Sequence, residues 1–281
     1  MTVLEDAHVL ITGGSRGIGL ATAHRVLDRG GRVSIVARDA QRLAISADEL
    51  EARVGDPTRV CAESADVTDR EGFEVALGLV IAQFGPVDVL VANAGGARPG
   101  LFTEAPIDDF EQQMALNYFG TLYPVRAVVP SMVERERGHL VLVSSVAGLI
   151  GVVGYGAYGP AKFAVRGLAE TIRPELKPHG ITVTCVYPPD TDTPGLAAEE
   201  STKPPATRSI SALVTPRSAA SVARDLVDGI EHDRNDVTCD RATALLLRTG
   251  GAGGLLAPVT RRMMDRHVRK ASESDADEER Q

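Results

Sequence analysis

Tyr158 and Lys162 stand four residues apart in the run Gly154 to Lys162, a spacing that puts a phenol and an ammonium on one face of a helix. A free tyrosine has a pKa near ~10 and is a poor acid at neutral pH. A cation held beside it favours the phenolate and lowers that value, which makes Tyr158 a candidate proton donor to a carbonyl oxygen. The same spacing describes any helix that carries one aromatic residue and one lysine, so the pair needs support from elsewhere in the chain. Tyr155 offers no second pair of this kind, because Gly159 stands four residues after it.

A second group of residues carries different chemistry. Gly13, Ser15, Arg16, Gly17, Ile18 and Gly19 form a G-x-x-x-G-x-G loop between an apolar run, His8 to Thr12, and helical periodicity from about Ile18 to Arg29. There the backbone approaches a pyrophosphate closely, and a helix N-terminus offers it free N–H groups and positive potential. The next strand ends at Val36-Ala37 with no carboxylate to grip ribose hydroxyls; Arg38 follows, with Arg16 and Arg42 in reach of the same end. Guanidinium groups bind a 2′-phosphate bidentately, so this end favours NADP(H) over NAD(H). Asp66-Val67 and Asn93-Ala94-Gly95 fall at the carboxyl ends of two further strands, where a ligand crevice forms. Asp66 has two readings, an acceptor for the adenine amino group or a turn residue ahead of Asp69, and Asn93 is equally a turn asparagine.

The elements that must position these residues alternate along the chain. Strands are predicted at His8 to Thr12, Arg32 to Ala37, Arg59 to Ser64, Val87 to Ala92, Leu140 to Val143, Thr182 to Tyr187 and Asp236 to Cys239. Helices are predicted near Ile18 to Arg29, after Asp39 as N-cap, and at Asp69 to Phe84, Ile107 to Glu136 and Tyr158 to Lys177, with Pro174 near the last turn. Another restarts around Pro216. The βαβαβ alternation implies an α/β fold: one doubly wound, Rossmann-like parallel sheet of about seven strands with right-handed crossovers. Residues 1–270 are expected to form this single domain, with a proline-rich binding loop or lid at about 188–215 and a disordered acidic tail at 271–281.

Composition narrows the partners. A formal charge of −8 argues against nucleic acid, whose phosphates need a surplus of Lys and Arg on one surface. Cys61, Cys185 and Cys239 are far apart, with neither CxxC spacing nor a nearby His cluster, and read as incidental thiols in a reducing, cytoplasmic compartment without a metal. No signal-peptide pattern opens the chain, and no run is long and apolar enough to span a membrane. A basic stretch at 261–270 is expected to be a solvated helix, with peripheral contact to anionic lipid through Met263, Met264 and Val268 as the alternative.

The glycine pattern, Asn93-Ala94-Gly95, Ser145, Tyr158 and Lys162, in this order, resemble the short-chain dehydrogenase/reductase family over nearly the whole chain. The resemblance implies that Ser145, thirteen residues before the tyrosine, orients a carbonyl, which selects it over Ser144. It implies that Asn117, in Asn117 to Gly120, holds a water in a proton relay. It also implies that Lys162 binds the nicotinamide ribose, that Pro188, Thr191 and Thr193 lie beside the cofactor, and that the chain forms a homodimer or homotetramer through its two long helices.

A narrower likeness joins Lys162 to Glu170, Tyr187 to Gly195 and Lys203 to Ser211, which together are similar to 3-ketodihydrosphingosine reductases. That likeness implies NADPH-dependent reduction of a long-chain, lipid-like ketone. Pro189 stands where the wider family commonly has glycine, and the hydrophobic anchoring segments of membrane-bound members are not found here. A steroid, retinoid or 3-oxoacyl substrate, or an NADPH-binding regulator without turnover, remain the competing readings.

Overall fold

A computed structural model describes residues 1–278 of the chain. Strands β1 (His8–Thr12), β2 (Arg32–Ala37) and β3 (Val60–Ser64) alternate with helices α1 (Gly17–Asp28), α2 (Ala40–Val54) and α3 (Arg70–Phe84). The chain continues through β4 (Val89–Ala92), α4 (Ile107–Met114), α5 (Gly120–Glu134), β5 (Gly138–Val143), α6 (Tyr158–Leu176) and β6 (Ile181–Tyr187). A short strand β7 (Thr191–Asp192), helices α7 (Pro194–Glu200) and α8 (Pro205–Ser211), and strand β8 (Arg217–Ser218) follow. The last elements are α9 (Ala219–Glu231), β9 (Asp236–Thr238), α10 (Arg241–Arg248) and α11 (Ala257–Glu278).

Seven strands form one parallel sheet in the order β3-β2-β1-β4-β5-β6-β9. The sequence runs Val9 to Ile11, Val33 to Val36, Val89 to Ala92 and Leu140 to Val143 are buried on both faces, and apolar except for Ser34, because helices cover both faces. One apolar layer packs α1, α2 and α9 on one face of the sheet and the other packs α3, α5 and α6 on the opposite face, with β1, β2, β4, β5 and β6 contributing side chains to both. The strand order reverses beside β1, with β2 on one side and β4 on the other, and at such a switch point loops separate into a crevice. The glycine loop after β1 and the Asn93 loop after β4 both open there.

Four local expectations are corrected. The helix expected over Ile107 to Glu136 is interrupted by a π-helical turn at Ala115–Phe119, where the Gly120 N–H reaches back to the Ala115 carbonyl. The segment 188–215 is not irregular: it folds into α7 and α8, and β7 pairs with β8 in parallel. Prolines at the first helical turns, Pro194 and Pro205, are compatible with both helices because those positions need no N–H partner. Pro216 precedes β8, and α9 starts after Ser218, whose side chain accepts from the Ser221 N–H. Helix α11 carries helical backbone through 271–278, where a disordered tail is expected; no glycine or proline follows Pro258 to stop it. Residues 279–281 of that expected tail lie outside the described residues.

Helix α11 turns Met264, only 8% exposed, onto Ile150 and Ile210, with Met263 packed beside it. Two of the three apolar side chains considered for lipid contact are therefore used inside the fold, and Val268 remains 40% exposed. Among the described residues, no helix is long and apolar enough to cross a membrane, and no group of His, Cys, Asp or Glu is placed to hold a metal. Cys61, Cys185 and Cys239 are free thiols buried in the structure.

Candidate active site

The glycine loop is shaped by contacts that leave no room for side chains. Gly13 has φ of +66° and Gly17 of +57°, the left-handed region that favours glycine. A Cβ on Gly13 would lie 2.9 Å from Ala94 Cα, and one on Gly19 2.3 Å from the Gly13 carbonyl oxygen. Asn93 ties the two loops together: its Nδ2 donates to the Thr12 and Gly13 carbonyls at 3.0 and 3.3 Å. The Thr12 hydroxyl accepts from the Asn93 and Ala94 N–H groups at 3.0 and 3.1 Å. The Asn93 side chain therefore braces the glycine loop across 80 to 81 residues of chain, not a turn of its own. Ser15 is buried, with its carbonyl accepting from Ser46 Oγ at 2.8 Å.

Arg16 is the N-cap of α1 and provides no side-chain cap, and no acidic residue occupies the first turn. The first N–H groups of α1, near Ile18, thus face the loop without a competing carboxylate, which is what a pyrophosphate needs. The glycine cradle and the uncapped helix fit a dinucleotide.

At the far end, Arg16, Arg38 and Arg42 are exposed. The Arg38 side chain, 63% exposed, pairs with Asp66 at 3.6 Å. The other Asp66 oxygen accepts from the Thr68 N–H and hydroxyl, both at 2.8 Å. Burial pushes the Asp66 carboxyl up, but the Thr68 bonds and Arg38 outweigh it and hold the group below its ordinary value. Asp66 is a turn residue that also steadies Arg38, and the adenine-binding reading has only its exposed edge to work with. Val67 is buried, its side chain against Gly120, so it offers the crevice backbone alone. The Arg42 N–H is taken by the Asp39 side chain, which caps α2 as expected.

The catalytic candidates converge at the carboxyl ends of β4 and β5. Ser145 follows β5, with its Oγ accepting from the Ala147 N–H at 3.1 Å, and its side chain lies near enough to Tyr158, at the start of α6, to act on the phenol. Ser144 is turned away and donates to the Lys162 carbonyl at 2.8 Å, a strut between β5 and α6. Lys162 is 3% exposed; its Nζ donates to the Val143 carbonyl at 2.9 Å and lies 5.6 Å from the Tyr158 ring centroid. Asn117 is fully buried inside the π-helical turn. Its Nδ2 donates to the carbonyls of Gly96 and Gln113, both at 3.0 Å, and its Oδ1 accepts from the Gly96 N–H at 3.2 Å. Gly95 is the hinge of this cluster: a Cβ there would stand 2.7 Å from Asn117 Oδ1 and 3.2 Å from Lys162 Nζ.

The electrostatics correct the simple expectation for Tyr158. Burial raises its pKa, the Ser145 bond pulls it down, and the charges of Glu199 and Asp190 push it up again, so the net shift is upward. Lys162 does not reverse this, because burial pushes its own pKa down to about 8 and its proton is directed at the Val143 carbonyl.

The segment after β6 closes the other side. The Pro188 carbonyl accepts from the Val146 N–H at 3.1 Å, which holds it against the Ser145 loop. Thr193 lies over the glycine loop, its methyl 3.1 Å from where a Cβ on Gly17 would be, and its hydroxyl caps α7. Thr191 is turned the other way: its hydroxyl donates to the Pro189 carbonyl at 2.7 Å and its backbone is in the pair with β8. Tyr155, set aside for want of a partner at i+4, has one at a distance of 44 residues: its hydroxyl donates to Glu199 Oε2 at 2.9 Å. Only the folding of 188–215 into helices brings Glu199, Asp190 and the buried Lys203 to this place, and no local spacing signals it.

Residues 7–204 match the short chain dehydrogenase family. The chain is 44% identical over 232 residues to a 3-dehydrosphinganine reductase of Danio rerio, covering 80% of this chain and 70% of that protein. It is 41% identical over 260 residues to a 3-ketodihydrosphingosine reductase of Mus musculus, covering 92% and 77%. A short chain dehydrogenase/reductase of Burkholderia phymatum in complex with NAD superposes with a TM-score of 0.79 at 25% identity over 89% of this chain and 94% of that one. One of Sphingobium yanoikuyae in complex with NADPH gives 0.75 at 26% over 92% and 95%. With the fold, the glycine cradle and the Ser145, Tyr158 and Lys162 cluster in agreement with these matches, the chain belongs to the short chain dehydrogenase family.

Proposed function

We propose that this oxidoreductase uses NADPH to reduce the C3 ketone of 3-ketodihydrosphingosine or a closely similar long-chain ketone. The observation that carries the chemistry is the convergence of the Ser145 side chain and the buried Lys162 on Tyr158, backed by the buried Asn117. The substrate class is supported by relatives at 44% and 41% identity that bear this name. A further support is an apolar groove of about 370 Å³ lined by Leu101, Phe102, Val152, Val153 and Val268, beside the segment that enters Tyr158. An alkyl chain fits such walls; a free carboxylate or phosphate does not.

When bound in the crevice, NADPH would supply the hydride for the carbonyl carbon. As negative charge grows on the oxygen, the Ser145 and Tyr158 hydroxyls stabilise it, and Tyr158 gives up its proton. A phenol held above its ordinary pKa keeps that proton until the oxygen demands it. Lys162, its pKa lowered to about 8 by burial, still carries a proton at neutral pH that it can pass toward Tyr158, and Asn117 fixes the polar path behind it. Arg16, Arg38 and Arg42, with no carboxylate at Ala37, support NADPH over NADH. Asp66, Val67, Asn93, Ala94, Gly95, Pro188 and Thr193 frame the rest of the cofactor crevice, while Thr191 supports it from the β7 side. The protein acts as a cytoplasmic homodimer or homotetramer joined through α4 to α6, with α11 as a solvated helix; light scattering reads the mass.

Loss of NADPH absorbance with purified protein and 3-ketodihydrosphingosine in mixed micelles, beside NADH and beside Tyr158→Phe, tests the proposal. Turnover with NADPH that falls about 10²- to 10⁴-fold in Tyr158→Phe while NADPH binding persists is the expected result. Turnover confined to steroid or 3-oxoacyl ketones would replace the substrate, and tight NADPH binding with no turnover on any ketone would replace the enzyme with a regulator.

A further inference from the structure

Glu199 is a charged group beside the site for which the reduction steps have no use. It stands on α7, and its Oε2 accepts the Tyr155 hydroxyl at 2.9 Å. The Tyr155 ring lies against the Tyr158 ring, with centroids 5.8 Å apart. The carboxylate is thus fixed one aromatic ring from the phenol that serves the carbonyl, close enough for its charge to act on that phenol. The buried ammonium of this segment, Lys203, is bonded to Glu200 at 3.1 Å. Asp190 adds another negative charge nearby. Asp190, Glu199 and Glu200 against Lys203 leave a surplus of two negative charges (three minus one), and among the described residues no cation is hydrogen-bonded to Glu199.

A partly buried carboxylate with no cation hydrogen-bonded to it is costly to keep charged. Burial raises the Glu199 pKa to about 7; the Tyr155 bond and Lys203 pull it down, and Asp190 and Glu200 push it up. A cation delivered by a ligand would satisfy the group. In a ketone with an amine on the adjoining carbon, nitrogen and carbonyl oxygen lie on neighbouring carbons. A site that holds the oxygen at Ser145 and Tyr158 therefore also fixes where the ammonium lies.

We propose that Glu199, oriented by Tyr155, receives the ammonium on the carbon next to the ketone and so selects 2-amino ketones over uncharged ketones. This rests on the reading of the substrate given above and names the residue that would enforce it. Glu199 is a specificity-determining residue here; the proton still comes from Tyr158.

The test compares kcat/KM for 3-ketodihydrosphingosine with kcat/KM for the same ketone lacking the amino group, in wild-type enzyme and in Glu199→Gln. The wild-type ratio is expected to favour the amine at least about tenfold, and Glu199→Gln to reduce that ratio about 10- to 100-fold, chiefly through KM, as loss of a charge-assisted hydrogen bond does. A strut that only holds α7 in place would lower both substrates together, and an unmoved ratio overturns the proposal whatever happens to either rate alone. If Glu199→Gln does not fold, a wild-type ratio near one overturns it equally. Wild-type turnover of the amine with an unmoved ratio defeats this proposal alone; no wild-type turnover of the amine defeats the substrate reading with it.

Discussion

At the scale of single residues, the site depends on how closely backbone and side chains approach at Gly95. That glycine has an ordinary backbone conformation, and its importance lies in the space it leaves beside Asn117 Oδ1 and Lys162 Nζ. Gly95→Ala should displace one or both, and a displacement near 1 Å in a reacting cluster costs on the order of 10²-fold. Steady-state reduction is expected to fall by about that factor with the protein still folded by circular dichroism; unchanged kcat/KM would show that neither group is needed where it stands. The same logic explains why Asn117 is read with difficulty from sequence. Its burial follows from the π-helical turn, which turns a residue of an apparently regular helix toward the Gly96 loop.

At the scale of elements, the segment 188–215 is held by a second close approach. Gly154 has φ of +83°, and a Cβ there would stand 2.0 Å from Thr207 Oγ1, which itself donates to the Val153 carbonyl at 2.9 Å. Gly154→Ala carries the strain of a left-handed conformation, about 1–3 kcal/mol, and drives α8 away from the segment that leads into Tyr158. A lower urea midpoint together with a raised KM for the long-chain ketone, and an unaltered dissociation constant for NADPH, is the expected outcome. A raised dissociation constant for NADPH would mean that this segment and the glycine loop move as one unit. They do touch, since the Thr193 methyl packs over Gly17, but α8 meets Ile150 and Met264 instead.

At the scale of the whole molecule, stability is tied to pH through a histidine in the middle of the sheet. His139 on β5 is 1% exposed, with Nε2 2.7 Å from Thr184 Oγ1 and Nδ1 2.9 Å from Thr2 Oγ1. Burial lowers its pKa from 6.5 to about 4, against the pull of Asp233 and with the aid of the chain's N-terminal ammonium. Between pH 6.5 and 4 the unfolded chain therefore binds a proton that the folded chain refuses, so stability falls as pH falls through that window and levels off below it. The loss amounts to about 3 kcal/mol, taking 1.36 kcal/mol per unit. Urea unfolding at pH 7 and pH 4.5 should show a smaller drop for His139→Gln than for the parent, and an equal drop would assign the acid sensitivity to other groups. Because β5 pairs with both β4 and β6, this is an effect on the entire fold and not on one edge.

Read by itself, the sequence determines the parallel α/β alternation, the glycine loop and the Tyr158–Lys162 pair, while Asn117 and Ser145 enter only through the family resemblance. These are legible because strand runs buried on both faces, helical periodicity and glycine spacing are local properties of the chain. The choice of Ser145 over Ser144 is implied by the resemblance to the short-chain dehydrogenase/reductase family, and the fold turns Ser144 toward the Lys162 carbonyl. What only the tertiary structure decides is which charges surround those groups. Lys162 is spaced to lower the Tyr158 pKa, yet its ammonium is directed at the Val143 carbonyl and burial moves both groups toward their neutral forms. Tyr155 is without a partner at helical spacing and gains one in Glu199 only when 188–215 folds into α7 and α8. The physical reason is common to both: secondary structure is set by neighbours within a few residues, whereas a buried group's charge depends on desolvation and on partners that only packing brings near.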